Sequence, residues 1–80
     1  MDDPREIDVF VGRLQDEVTH ADFNEIRSRA TKEMSPAPVR GSHDEARSIF
    51  YFVRNHARTA DIKLCPVEYA RALKADRIRL

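Results

Sequence analysis

Between Ser42 and Arg58 the chain reads S-H-D-E-A-R-S-I-F-Y-F-V-R-N-H-A-R, and this stretch decides the fold class. Ser42 is a favoured helix N-cap, and Glu45 three residues on completes a capping box. The Ser hydroxyl takes one orphan backbone N–H and the Glu carboxylate reaches back for another. Asp44 and Glu45 also set negative charge at the positive end of the helix dipole. At about 100° per residue, Ala46, Ile49, Phe50, Val53 and Ala57 share one arc, expected to be core. Arg47, Tyr51, Arg54, Asn55 and Arg58 share the opposite arc, a candidate contact face. The runs S-I-F-Y-F-V and E-I-D-V-F-V also hold strand-forming residues, so a small α+β fold competes. The capping boxes ahead of both runs favour helix.

Immediately upstream, Ser35-Pro36-Ala37-Pro38-Val39-Arg40-Gly41 breaks the helical pattern, and its prolines bias Ser35 and Ala37 to extended backbone. A second helix therefore stops near Met34. It starts at Thr19 to Asp22, a T-x-x-D capping box or an Asp22 cap, and its narrow stripe is Phe23, Ile26, Ala30 and Met34. Glu25, Arg29 and Glu33 form an i,i+4 ladder on its solvated side. The first helix opens with Asp3-Pro4-Arg5-Glu6, an N-cap acid followed by proline at the first helical position. Ile7, Phe10, Val11, Leu14 and Val18 then recur at helical spacing, and Gly12 among them invites close approach by a neighbouring helix.

Downstream, Ile62 and Leu64 are placed to plug the open end of the core, and Pro66 with Glu68 starts a fourth helix running to about Asp76. Its expected apolar stripe is Val67, Ala70, Leu73 and Ile78. The sum is an all-α domain, a compact bundle or orthogonal array of about four short helices filling residues 1–80.

Eighty residues support one small core, so oligomerisation or a partner is a common source of added stability. An apolar share of 41% with two glycines argues a folded chain, and charged residues at 35% make the exterior ionic. A single cysteine excludes an intrachain disulfide, no apolar run approaches a membrane span, and the acidic M-D-D-P start shows no secretory signal. A cytoplasmic location is the expectation. Formal net charge is zero but polarised: residues 1–39 hold nine acids against five bases, and residues 40–80 reverse this. Such a layout can hold the halves together, drive association, or present a basic face to an anionic partner.

Candidate chemistry is sparse. His20, His43, His56 and Cys65 stand at no metal-ligand spacing, so no metal or cofactor site is expected. His56 falls beside Ile49 and Phe52, the place of a packed histidine at the core edge, whereas His43 is expected to be exposed. Cys65 before Pro66 lies at a helix N-terminus, yet a nucleophile also needs a base and an oxyanion site, and a small buried residue is the simpler role. Asp16 and Glu17, like Asp2 and Asp3, are neighbours that point about 100° apart and cannot share a proton. Gly12 and Gly41 are isolated, so no phosphate loop exists, and no catalytic residue is assigned.

The sharpest feature is the stripe Arg47, Tyr51, Arg54 and Arg58, arginines at i, i+7 and i+11 with a tyrosine between them. Arg71, and beside it Tyr69, extend the candidate surface. Arg and Tyr are the residues most enriched in protein–protein hot spots. The expected function is that of a small non-enzymatic regulator, adaptor or inhibitor that binds another protein or, as a homodimer, a second copy of this chain. The alternative is nucleic-acid binding by the basic C-terminal half, with Arg71, Lys74 and Arg77 exposed on the last helix. A helix-turn-helix fits poorly, since both connectors to the third helix are long.

Overall fold

The structure, a computed structural model, describes residues 3–80 as four helices: α1 (Pro4–Glu17), α2 (His20–Ala30), α3 (His43–Thr59) and α4 (Pro66–Lys74). Among the described residues there is no strand, so the α+β alternative falls and the fold is a small all-α bundle. Asp2, counted above among the N-terminal acids, lies outside the described residues.

The starts follow the local signals. Asp3 accepts from the Arg5 N–H at 2.9 Å, Thr19 from the Asp22 N–H at 3.0 Å, and Ser42 from the Glu45 N–H at 3.2 Å. Helix α4 begins at Pro66 without a side-chain cap; proline there has no N–H to satisfy. Each cap is worth about 1 kcal/mol.

The stops are less orthodox. Helix α2 ends at Ala30, one turn before Met34: the Thr31 hydroxyl bonds back to the Arg27 carbonyl at 2.9 Å, and the Met34 N–H closes a turn onto the Thr31 carbonyl. Met34 therefore leaves the expected buried stripe and is 41% exposed, its sulfur accepting from the Ser48 hydroxyl at 3.1 Å. Glu33 falls outside the helix, so the ladder reduces to Arg29–Glu25 at 2.7 Å. Helices α3 and α4 both end in Schellman motifs. The Asp61 and Ile62 N–H groups turn back to the Arg58 and Ala57 carbonyls, and those of Asp76 and Arg77 to Leu73 and Ala72. The left-handed residue, where glycine is usual, is aspartate both times, at φ 56°.

Packing runs in the spatial order α2, α3, α1, α4. Helix α3 lies against both α1 and α2, α1 also packs on α4, and α1 and α2 scarcely touch. One hydrophobic cluster joins them, with Leu14, Ile26, Ile49, Val53 and Tyr69 fully enclosed. Each such aliphatic side chain contributes about 1.5–3 kcal/mol of transfer free energy. Phe10 meets Phe50 edge-to-face at 5.1 Å, tying α1 to α3. Ile62 and Leu64 pack on the cluster, as expected of residues closing its open end.

Three placements differ from the sequence reading. In α4 the fully buried positions are Tyr69 and Ala72, with Val67, Ala70 and Leu73 half-buried, because six of the nine residues of this short helix are apolar and no single stripe stands out. Ile78 is buried from the segment after α4, which ends at Lys74 and not at Asp76. A side chain at Gly12 would meet nothing within 4 Å, so no helix approaches there.

Candidate interaction surface

The outer arc of α3 exists as a surface. Ile49, Phe50, Val53 and Ala57 are buried toward α1 and α2, with Ala46 half-buried beside them. This leaves Arg47, Asn55 and Arg58 exposed and Tyr51 and Arg54 half-buried between them. Tyr51 lies edge-on to Phe50 at 5.7 Å, and the Arg54 guanidinium sits 4.9 Å above the Tyr51 ring. The ring thus fixes the arginine by cation–π attraction. The Arg54 Nε is buried and has no hydrogen-bond partner. Among the described residues Arg47 pairs with Asp44 alone, at 3.6 Å on the surface, a weak pair. Among the described residues Arg54 and Arg58 form no ion pair.

Arg71 does not join this stripe. It is exposed on α4, contacts Glu68 at 3.5 Å, and lines a shallow groove with Glu17, Thr19, Asp22 and Lys74 that none of the α3 residues enters. Tyr69 is no surface residue at all; it is fully buried. Its hydroxyl lies 2.8 Å from the Nδ1 of His56. Burial, with the Arg29 charge adding, lowers the His56 pKa, and burial, with the Asp22 charge adding, raises that of Tyr69. A neutral imidazole and a protonated phenol result, and the two share one hydrogen bond whose direction follows the imidazole tautomer. The histidine at the core edge is a structural hydrogen-bond partner.

Sequence reasoning missed the tertiary pairs. Glu45 is 6% exposed; its carboxylate accepts from the Gly41 N–H at 3.0 Å, in place of the Ser42 N–H a standard capping box engages, and lies 3.2 Å from the Nε of Arg27. That contact joins opposite charges without an aligned N–H···O bond, since the Arg27 Nε has no hydrogen-bond partner. Arg27 also lies 5.0 Å over the Phe23 ring and donates from its Nη1 to Asn24. His43, expected to be exposed, is half-buried and meets the Asp8 carboxylate at 3.0 Å. The buried ion pair joins a base of the acidic half to an acid of the basic half, against the overall polarity, whereas Asp8–His43 runs with it.

Cys65 is half-buried in an apolar groove between α1 and the start of α4, and none of the three histidines lines that groove. Among the described residues no three His, Cys, Asp or Glu side chains gather as a metal-holding group, and no helix is long and apolar enough to cross a membrane. Compared with family models, curated proteins and solved structures, the chain matches none.

Proposed function

We propose that this protein is a small non-enzymatic regulator or adaptor that binds an acidic surface of another protein through the outer face of α3. The observation that supports this most is the Arg54 guanidinium stacked on Tyr51, flanked by Arg47 and Arg58. Holding an aromatic–arginine pair rigid before contact lowers the ordering cost of binding, and such pairs act as hot spots. The second reading is nucleic-acid binding. It is favoured by the alignment of Arg47, Arg54 and Arg58 over about 16 Å of one helix face, and weakened by the acids of the N-terminal half.

Binding to mixed duplex DNA and to RNA at two salt concentrations, with wild type beside Arg47→Glu/Arg54→Glu, separates the two. Failure of wild type to bind at low salt leaves protein recognition. Steeply salt-dependent binding lost in the double variant replaces it with nucleic-acid recognition. On the protein side, affinity capture with wild type and Tyr51→Ala is expected to differ by a partner that only wild type retains. Identical captures from two equally folded proteins remove the α3 face from the interface.

A further inference from the structure

A second surface, lined mainly by α1 and the start of α4, has its own features. A groove of about 670 Å³ runs between α1 and the start of α4, floored by Phe10, Leu64, Pro66 and Val67. Beside it Val9 stands 64% exposed, a large apolar side chain at the middle of a helix whose other large apolar residues pack on the core. Glu6 and Arg13, both exposed, line the same groove, and among the described residues neither has an ion-pair or hydrogen-bond partner.

We infer that this groove docks a second copy of the chain, with α1 lying antiparallel to α1 across a two-fold axis. The order of residues singles out this occupant. Glu6, Val9, Phe10 and Arg13 follow one another at i, i+3, i+4 and i+7, so they share one side of the helix. In an antiparallel pairing, the register that sets Val9 opposite Phe10 of the second copy also sets Glu6 opposite Arg13, and the symmetry repeats both contacts. The centre of the face is therefore complementary to itself: an apolar knob meets an apolar groove, with the unlike Glu6–Arg13 pair on either side. Glu6 and Arg13 are about 10 Å apart along the axis, so both pairs flank the apolar centre and can shield it from water. A two-fold dimer requires such a self-complementary patch. An 80-residue chain with one small core gains stability from covering it.

The test is the mass in solution from micromolar to millimolar protein, by sedimentation equilibrium, with circular dichroism confirming that each variant is folded. Wild type is expected to pass from monomer to dimer. Glu6→Arg alone and Arg13→Glu alone each place like charges opposite one another and weaken association by at least about tenfold. Mixing those two single variants restores association as a heterodimer, because every opposed pair again joins unlike charges. Wild type that stays monomeric at all concentrations overturns the inference, leaving the groove to another kind of partner. A wild-type dimer that either reversal leaves intact overturns it as well, as does a mixture no tighter than its components.

Discussion

Two arginines of this protein share nearly the same setting and differ in one respect. Arg27 lies 5.0 Å over Phe23 and Arg54 lies 4.9 Å over Tyr51, and in each the Nε is buried without a hydrogen bond. Arg27 has the Glu45 carboxylate at 3.2 Å; Arg54 has no acidic partner among the described residues. The first guanidinium is answered inside the fold, between α2 and α3. The second is stacked on its ring with no counter-charge among the described residues, which is why it is the one proposed above as a contact. A ring beneath an arginine therefore does not by itself mark a binding residue; the presence or absence of a counter-charge inside the fold is what distinguishes the two.

The largest expected effect tests this division directly. Glu45→Ala strips the counter-charge from Arg27 and the acceptor from the Gly41 N–H, and is expected to cost about 3 kcal/mol in urea unfolding. Arg54→Ala removes a stacking contact and is expected to cost about 1 kcal/mol or less, and under the proposed function it abolishes partner binding. Equal stability losses in the two variants break the comparison.

The internal Tyr69–His56 pair belongs with Arg27. Tyr69→Phe removes the buried hydroxyl that shares a hydrogen bond with His56, at a cost of about 1 kcal/mol. The folded His56 has a pKa below its ordinary 6.5, so between the two values the unfolded chain binds the extra proton. Its contribution is complete above about pH 6.5 and is lost as pH falls through the folded pKa. The urea midpoint of wild type is thus expected to decline below that pH more steeply than that of His56→Gln. Parallel profiles would show that the imidazole is not held neutral by the fold.

Smaller effects come from backbone positions that neither arginine touches. Gly12→Ala, in open space on α1, is expected to add about 0.5–1 kcal/mol. Asp61→Gly and Asp76→Gly relieve left-handed aspartates at negatively polarised helix ends, each adding about 0.5 kcal/mol by the same measurement.

These contrasts follow what a sequence can and cannot express. Helix starts are local: Asp3-Pro4, Thr19 and Ser42 place a short polar side chain next to the orphan N–H it satisfies, and all three caps form. The two arcs of α3 were legible because seventeen residues give the helical period several turns to declare itself. Helix α4 has only nine, mostly apolar, and its buried side could not be read. The stop at Ala30 is made by a threonine back-bond with no glycine or proline at hand, and the later stops use aspartate where glycine is the usual sign. The Arg27–Glu45 and Asp8–His43 contacts depend on how helices meet, which no spacing encodes. Of the candidate face, Arg47, Tyr51, Arg54 and Arg58 do lie together, and Arg71 stands apart.

The uneven packing of the helices has a consequence for motion. Helix α2 scarcely touches α1, buries only Phe23 and Ile26, and is held mainly by α3, which it reaches through the long segment 31–42. Helices α1, α3 and α4 hold the remaining core among themselves. Opening α2 therefore uncovers Phe23, Ile26 and the α3 surface they cover and breaks one ion pair, while the contacts of α1 with α3 and α4 persist. Amide hydrogens of α2 should exchange through this partial opening, at a lower free energy than those of α1 and α3, which wait for the whole molecule to unfold. On this expectation α2 is a detachable flank with the Arg27–Glu45 pair as its latch, and uniform exchange across all four helices would refute it.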